Sequence, residues 1–407
     1  MKVAVMGYGV VGSGVVEVLN KNQESISKRA GQEELAVKYI LDLRDFPGDV
    51  NEGKFIKDFN IILNDDEVKV VVETMGGLNP AFDFVSKCLN AGKSVVTSNK
   101  ELVAAKGIEL LNIAKEKSVN FLFEASVGGG IPIIRPISQC LAANEIDEIA
   151  GILNGTTNFI LTKMIEDKME FADALKLAQD NGYAEKDPTA DIEGIDACRK
   201  ICILASLCYG KHVYPDGVFT QGITKISSED VEYAKSWGGV IKLIGASKKL
   251  SDDKISAWVR PCFVANGSQL ASTTDVFNAI LVRGDAIGDV VFYGRGAGKL
   301  PTASAVVADV IDCAKHVERK KLFGWGESKE NYVADYLDLP VTAYVRLSTS
   351  DKEKAKSQLG DIKVLTRDNA KSDELAFVIS AKTERELNDT LSKLDAEVKN
   401  IIPVTDF

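Results

Sequence analysis

The stretch VAVMGYGVVGSGV, residues 3–15, runs from a short β-branched segment through a glycine-rich turn into an apolar helix start. Its glycines have the G-x-G-x-x-G spacing. The first permits a tight turn, the second lets the backbone approach a pyrophosphate, and the third lets helix and strand pack closely. The N-terminus of the following helix would offer free N–H groups to the phosphates. The stretch therefore predicts a dinucleotide site. Its candidate cofactor-binding residues are Gly7, Gly9, Val10, Val11 and Gly12.

The rest of the first 130 residues repeats the same alternation of β-branched runs and helical stretches. The β-branched runs are KVAVMG, VKYILDL, VKVVVET, KSVVTSN and VNFLFEA. Strand, helix, strand in repetition is typical of a parallel sheet covered on both faces. We therefore predict an α/β protein whose N-terminal domain, residues 1–130, is a Rossmann-type parallel sheet.

The pattern changes twice beyond residue 130. Longer helices mixed with strands predict an α+β catalytic domain over residues 131–325, and a polar stretch near residues 326–338 predicts a hinge. Residues 338–407 then read strand, helix, strand, strand, helix, strand. That order predicts a small α+β regulatory domain at the C-terminus.

Composition excludes several classes of function. A formal net charge of -10 argues against a surface for nucleic acid or for an anionic membrane. No apolar run reaches 18 residues, so we expect no membrane span, and the N-terminal apolar stretch meets glycines rather than a cleavage site. Seven scattered cysteines without a CxxC pair fit reduced thiols. We therefore expect a cytoplasmic protein.

The second strand leaves the choice of cofactor open, because it ends ILDLRD. Asp42 would bind a ribose hydroxyl of NAD, whereas Arg44 would accept the 2′-phosphate of NADP, which we slightly favour. Ligands in open α/β sheets lie outside the carboxyl ends of the strands, where the loops ETMGG and TSNKELVA follow. We therefore expect Thr97 to contact the cofactor and Lys100 to lie near the nicotinamide.

The stretch DNGYAEKDPTADIEGIDACRK, residues 180–200, carries the candidate acid/base pair. Asp196 and Lys200 are four residues apart, on one face of a helix that becomes apolar after Lys200. Partial desolvation lowers the pKa of a lysine toward the acid/base range, and a neighbouring aspartate orients it. An exposed salt bridge is the alternative. His212 and His316, the two histidines, lie in a loop and on an amphipathic helix face and are weaker candidates.

Acids in the same stretch indicate how an amino-acid substrate could bind. Glu185, Asp187 and Asp191 bracket a proline-containing loop, which suits a site for a substrate ammonium group. Each could instead cap a helix, Asp191 above all, since it precedes the helix of Lys200. A dehydrogenase that works through a thioester would need a cysteine beside a histidine, and Cys198 and Cys202 lie in the apolar helix without one nearby in sequence.

Six stretches, in order over roughly residues 1–320, resemble the homoserine dehydrogenase family. They are GYGVVGSGV, TSNKELVA, EASVGGGIPII, GILNGTTNFIL, GYAEKDPTADIEGIDACRK and YGRGAGKLPTASAVVADV. The resemblance implies NAD(P)-dependent interconversion of L-aspartate 4-semialdehyde and L-homoserine, in threonine, methionine and isoleucine biosynthesis. It also implies that the second domain serves dimerisation, in a homodimer or homotetramer. Another amino-acid dehydrogenase on the same scaffold is the nearest alternative.

The resemblance also implies roles for single residues. Lys200 would donate the proton to the carbonyl oxygen, supported by Asp196, and Lys100 would position substrate and cofactor. The implied substrate-binding residues are Glu185 for the ammonium, with Asp191, Thr156 and Tyr183. The resemblance implies a site for a monovalent cation, sodium above all. Its implied ligands are the carboxyl region of Glu124 and the carbonyls of Val127, Gly129 and Ile131. The alternative is a plain glycine-rich turn without an ion. The implied loop over the cofactor contains Gly296, Ala297 and Gly298.

The tail resembles an ACT domain, an amino-acid-sensing module, with one departure. The turn after its first strand reads STSDKEKAKSQLGD and lacks the Pro-Gly that grips ligand backbone. We therefore expect threonine at millimolar levels to leave the rate nearly unchanged and the tail to assist dimerisation. We also expect the chain to be monofunctional, because 407 residues are too few for a fused aspartate kinase. The alternative from another class is a catalytically silent NAD(P)-sensing protein with an amino-acid-binding tail. The Asp196–Lys200 pair and Lys100 favour the enzyme.

Overall fold

The chain forms two compact units in a computed structural model that describes residues 1–317 and 319–407. The first unit comprises Met1–Asn144, Cys202–Pro215 and Gly294–Ser328, and the second comprises Glu145–Ile201, Asp216–Tyr293 and Lys329–Phe407. The division into domains at residues 130, 325 and 338 stays a prediction. Among the described residues, no helix is both long and apolar enough to cross a membrane.

The elements up to residue 144 alternate as the sequence predicts. The strands are β1 (Lys2–Met6), β2 (Ala36–Leu41), β3 (Phe55–Ile56), β4 (Val68–Glu73), β5 (Ser94–Thr97) and β6 (Phe121–Leu122). The helices are α1 (Val10–Lys21), α2 (Gln23–Ala30), α3 (Phe59–Leu63), α4 (Ala81–Asn90) and α5 (Lys100–Lys117).

From residue 145 the chain adds longer strands, up to the 13 residues of Gly239–Ser251. The strands are β7 (Ile146–Ile152), β8 (Phe219–Thr220), β9 (Gly239–Ser251), β10 (Lys254–Ala265), β11 (Phe277–Gly284), β12 (Gly288–Arg295), β13 (Val341–Ser348), β14 (Lys363–Leu365), β15 (Glu374–Ala381) and β16 (Glu397–Thr405). The helices are α6 (Gly155–Glu166), α7 (Phe171–Asp180), α8 (Thr189–Ile192), α9 (Ile195–Tyr209), α10 (Ser228–Trp237), α11 (Lys299–Lys315), α12 (Lys352–Leu359) and α13 (Glu384–Ser392).

A six-stranded parallel sheet forms the centre of the first unit, in the order β3-β2-β1-β4-β5-β6. Its inner strands are continuous apolar runs because both of their faces are covered, and Val3, Val5, Val70 and Val72 are all buried. The strand order reverses beside β1. In such sheets the crevice for a ligand opens at that point, outside the carboxyl ends of the strands. The predicted Rossmann-type sheet is confirmed.

A mixed sheet forms the centre of the second unit, in the order β12-β11-β7-β9-β10-β16-β13-β15-β14, with β8 beside β10. β9 and β10 form one long antiparallel hairpin, and β7 pairs with β9 on its other side. The last strand, β16, pairs in parallel with β10 and in antiparallel fashion with β13. The predicted α+β arrangement is confirmed, and the tail continues the sheet of this unit.

The tail has the predicted order of strand, helix, strand, strand, helix, strand, over its own buried apolar cluster. The carboxylate of Asp230 on α10 is fully buried and ties this tail to the rest of the unit. It accepts hydrogen bonds from the Tyr344 hydroxyl (2.9 Å), Arg346 Nε (2.9 Å) and Asn400 Nδ2 (2.8 Å). Because this buried charge is fully partnered, it fixes the tail strands against α10. The likeness to an ACT domain stays a prediction.

Candidate active site

The glycine loop after β1 has the shape that a pyrophosphate needs. Gly7 has φ +93°, and a Cβ there would lie 3.0 Å from the Thr74 carbonyl oxygen, while a Cβ at Gly12 would lie 1.9 Å from the carbonyl oxygen of Gly7. In contrast, apart from Gly9 and its two chain neighbours, no residue comes within 4 Å of a Cβ built at Gly9. Gly9 is the N-cap of α1 and brings no side chain to its first N–H groups. The open space and the helix N-terminus therefore fit phosphate oxygens. Val10 and Val11 form the first turn of this helix.

Asp42 and Arg44, which the sequence left as alternatives, form an ion pair with each other. The Asp42 carboxylate accepts from Arg44 Nε (3.0 Å), Arg44 Nη2 (2.8 Å) and the Tyr8 N–H (2.8 Å). The Arg44 guanidinium holds the pKa of Asp42 well below its usual range. The Arg44 side chain is 62% exposed and lies over the Phe46 ring, so the guanidinium is presented to solvent beside the end of β2.

The two loops at the carboxyl edge of the sheet are held together by Glu73, which the sequence analysis missed. Its buried carboxylate accepts from the N–H groups of Met75 (2.7 Å) and Gly76 (3.2 Å) and from the Thr97 hydroxyl (2.6 Å). Burial raises the pKa of Glu73. Thr97 therefore serves to join the loops after β4 and β5. An acid at the end of a buried strand, next to a Gly-Gly turn, is the signal that could have identified Glu73.

Asn99 fixes the start of α5, where Lys100 is the first residue. Its Oδ1 accepts from the Leu102 N–H (3.1 Å), and its Nδ2 donates to the Gly77 carbonyl (2.7 Å). One side chain thus caps the helix and ties it to the loop after β4. Lys100 thus begins α5 just beyond the carboxyl end of β5, and its place near the nicotinamide stays a prediction.

Lys200 and Asp196 form a buried ion pair on α9. Lys200 is 7% exposed and Asp196 is 4% exposed, and the distance from Lys200 Nζ to Asp196 Oδ2 is 2.8 Å. Lys200 Nζ also donates to the Leu153 carbonyl (2.7 Å), at the end of β7. Gly194, at φ +81°, separates α8 from α9 and so sets where the helix of the pair begins. The alternative of an exposed salt bridge is wrong for this pair.

Asn154, between β7 and α6, joins this pair to a second acid. Its Nδ2 donates to Asp191 Oδ1 (2.6 Å) and to Asp196 Oδ2 (2.8 Å), while its Oδ1 accepts from the Thr157 N–H (2.9 Å). Asp191 lies within α8, so the interpretation of this acid as a cap preceding the helix of Lys200 is wrong. The sequence analysis missed Asn154, although an asparagine just before a helix is a recognisable cap signal.

The remaining candidate substrate residues lie on the loop before α8 and on α6. The Thr156 hydroxyl donates to the Tyr183 carbonyl (2.7 Å), and the Tyr183 ring packs edge-on against Phe159. Glu185 is exposed, and its carbonyl accepts from Gln179 (3.2 Å). Asp187, in contrast, holds a local turn by accepting from the Thr189 hydroxyl (2.6 Å). The structure thus places Asp191 with the lysine pair and Thr156 with Tyr183.

The loop predicted to bind a cation is closed by the carboxylate of Glu124. This carboxylate accepts from the N–H groups of Ile133 (2.6 Å), Ile134 (2.9 Å) and Arg135 (2.8 Å). These three amides orient the carboxylate, and its role as a cation ligand stays a prediction. The Glu124 backbone is fixed separately, since the Glu124 N–H donates to Asp309 (2.8 Å).

The glycines of this loop meet the loop predicted to cover the cofactor. Gly129 has φ +56°, and a Cβ there would lie 2.3 Å from the Gly296 carbonyl oxygen. The Gly130 N–H donates to the Arg295 carbonyl (3.1 Å). Gly298, at φ +126°, leads into α11. The backbone of Gly296 and Ala297 therefore packs closely against Gly129, and this contact joins the two loops. Among the described residues, no three His, Cys, Asp or Glu side chains are grouped as metal ligands.

The histidines and cysteines lie in structural settings. The buried His212 accepts at Nδ1 from Trp325 Nε1 (3.0 Å), and burial lowers the pKa of His212. His316 Nδ1 lies 2.9 Å from Asp312, on α11. Cys198 and Cys202 are buried along α9. These settings agree with the choice of Lys200, rather than a histidine or a thiol, as the candidate acid/base group.

Two family models match the chain. The model described as homoserine dehydrogenase, NAD binding domain, matches residues 7–124, and the one described as homoserine dehydrogenase matches residues 132–311. The first spans the glycine loop, Arg44, Thr97 and Lys100, and the second spans Asn154, Asp196 and Lys200.

Relatives of known name match the whole chain or most of it. A homoserine dehydrogenase of Pseudomonas aeruginosa is 36% identical and covers 97% of this chain and 95% of its own length. The crystal structure of a homoserine dehydrogenase from Thiobacillus denitrificans superimposes with a TM-score of 0.90 at 34% identity, over 100% of this chain and 98% of its own. A hyperthermophilic archaeal homoserine dehydrogenase in complex with NADPH has a TM-score of 0.65 at 29% identity, over 77% of this chain and 97% of its own.

Proposed function

This chain belongs to the homoserine dehydrogenase family, and we propose that Lys200 is the proton donor of its reaction. The chain is an oxidoreductase that acts on the CH–OH group of homoserine and interconverts it with L-aspartate 4-semialdehyde, using NAD(P). The single observation behind the proposal is the buried Lys200 ammonium, held between the Asp196 carboxylate and the Leu153 carbonyl. A silent NAD(P)-sensing protein gains no support from these relatives.

The proposed chemistry follows from the charge that develops on the substrate. The glycine loop would hold the pyrophosphate of NAD(P), and the bound cofactor would supply the hydride that reduces the aldehyde carbon. The carbonyl oxygen becomes an alkoxide, and the Lys200 ammonium stabilises this charge and gives it a proton. In the direction of oxidation the neutral Lys200 amine accepts that proton. Asp196 keeps the ammonium oriented in both directions, and Lys100 positions substrate and cofactor.

The substrate's own ammonium group needs negative charge and fixed acceptors. We assign its binding to Glu185 and Asp191, with Thr156 and Tyr183 lining the site. Support comes from the hydrogen bond between the Thr156 hydroxyl and the Tyr183 carbonyl, which ties the loop before α8 to the first turn of α6. Asp191 is held by Asn154 beside the lysine pair.

Replacing Lys200 tests the central assignment. We expect Lys200→Ala to lower kcat for homoserine oxidation by at least about 10²-fold, the scale for losing a general acid or base. The matched control is Lys176→Ala, since Lys176 forms an exposed i,i+4 ion pair with Asp180 on α7. The control should keep kcat within about twofold, because exposed pairs contribute little. A folded Lys200→Ala enzyme with the kcat of the control would remove Lys200 from the chemistry.

Cofactor preference is proposed to favour NADP through Arg44, whose exposed guanidinium suits a 2′-phosphate. The relative solved with NADPH is consistent with this choice. We expect Arg44→Ala to lower kcat/KM with NADPH about tenfold or more, the scale of one charge-assisted hydrogen bond, and to change kcat/KM with NADH little. Lys57→Ala, which breaks the exposed pair with Asp45, is the control. Equal losses with both cofactors would contradict the role of Arg44.

We also propose that the carboxyl region of Glu124 and the carbonyls of Val127, Gly129 and Ile131 bind a monovalent cation, sodium above all. Hard cations take oxygen ligands, and the Glu124 carboxylate holds this loop closed through three amides. Exchange of sodium chloride for tetramethylammonium chloride at constant ionic strength should lower the unfolding midpoint, because a ligand of the folded state stabilises it. Identical midpoints and identical rates in the two salts would argue for a plain glycine-rich turn.

Three further assignments are carried as proposals. The family resemblance implies a homodimer or homotetramer. The turn STSDKEKAKSQLGD, which lacks Pro-Gly, supports a tail that assists dimerisation without responding to threonine, and the scattered cysteines support a cytoplasmic location. The pairing of β16 with β10 gives the tail a structural role within its own unit, which is consistent with a tail that does not act as an independent sensor.

A further inference from the structure

The Asn154 side chain occupies an unusual position between two like charges. It is 6% exposed, and its single NH2 group donates both to Asp191 Oδ1 (2.6 Å) and to Asp196 Oδ2 (2.8 Å). The same Asp196 oxygen accepts from Lys200 Nζ (2.8 Å). One neutral carboxamide, on the loop before α6, thus contacts two acids, Asp191 on α8 and Asp196 on α9. Lys200 on α9 joins the group through its ion pair with Asp196.

The orientation of the carboxamide is fixed by its oxygen. Oδ1 caps α6 by accepting from the Thr157 N–H (2.9 Å). It also lies 3.1 Å from the Thr157 hydroxyl oxygen. The reversed amide would place an oxygen against two carboxylates and an NH2 group against a backbone N–H. Only one orientation therefore satisfies all partners, and both halves of the amide are in use.

The geometry points to Asn154 as a positioning residue, which holds Asp191 beside the proton-donor pair and limits the negative potential that Asp196 exerts on Lys200. This inference rests on the proposed role of Lys200. Two carboxylates at hydrogen-bond distance from the same nitrogen repel each other, and a neutral double donor offsets that repulsion without adding a charge. Without the donor, the same Asp196 oxygen would present more of its negative charge to the lysine.

The capping role alone does not account for this arrangement. The cap uses Oδ1, and an oxygen from serine or aspartate at the same position would serve that purpose as well. The contacts to Asp191 and Asp196 use the two N–H donors of Nδ2, whereas serine has a single O–H donor and an ionised aspartate has none. The two roles can therefore be separated by substitution.

The test is the pH dependence of kcat/KM for homoserine oxidation with NADP⁺, in the wild type, Asn154→Ser and Asn154→Asp. Oxidation needs the neutral amine, so a stronger negative potential at Lys200 moves the rising limb of the profile to higher pH. We expect a shift of about half a pH unit for Asn154→Ser and about one unit or more for Asn154→Asp. KM for homoserine should rise in both variants because Asp191 loses the hydrogen bond from Asn154 Nδ2, while KM for NADP⁺ stays the same.

The control for a lost helix cap is Thr383→Ala, since the Thr383 side chain caps α13 through the Glu386 N–H. It should lower the unfolding midpoint and leave the pH profile in place.

If the rising limb of the pH profile stays at the wild-type pH in both Asn154 variants, or moves to lower pH in either, the inference is overturned and Asn154 is only a cap. Lys200→Ala separates the two proposals: full activity in that variant defeats the proposed proton donor, whereas its inactivity combined with an unmoved limb defeats only the role of Asn154.

Discussion

An ammonium ion that is removed from water must find its hydrogen-bond partners inside the protein, and Lys200 imposes this requirement on the second unit. The Asp196 carboxylate, one turn away on the same helix, supplies the countercharge. The Leu153 carbonyl supplies a second acceptor because β7 ends there and α6 has not yet begun. Burial without these partners would favour the neutral amine, and a fully solvated lysine would lose its orientation. The positions of β7, α6 and α9 together make a buried, oriented lysine possible.

Each unit uses an asparagine in the same way at the start of a helix. Asn99 caps α5 with Oδ1 and fixes the neighbouring loop with Nδ2, directly before Lys100. Asn154 caps α6 with Oδ1 and fixes two acids with Nδ2, directly after the carbonyl that binds Lys200. A cap of this kind sets the first turn of the helix and the adjacent loop together. Functional side chains on loops thus gain the precision of the secondary structure that follows them.

Local sequence patterns predicted the parallel sheet, the glycine loop and the pairing of Asp196 with Lys200, because each depends on spacing within one element. They left the burial of that pair open against an exposed salt bridge, because it depends on residues distant in sequence, such as Leu153, which lies 47 positions before Lys200. The contacts of Asn154 reach residues 37 and 42 positions away. The Glu124 carboxylate likewise accepts hydrogen bonds from three backbone amides, an orientation that no local sequence pattern encodes. Residue types were visible in the sequence, whereas the directions of buried polar side chains were not.

Chemical rescue measures most directly whether the Lys200 ammonium delivers the proton. Small primary amines of increasing basicity are added to the folded Lys200→Ala enzyme with homoserine and NADP⁺, and the initial rate is followed through NADPH absorbance. A rate that rises with the concentration of the neutral amine, and that depends on amine basicity, is the expected result, because the amine replaces the missing base. A rate unaffected by any amine small enough to replace the missing side chain, in an enzyme that still binds both substrates, would contradict the account.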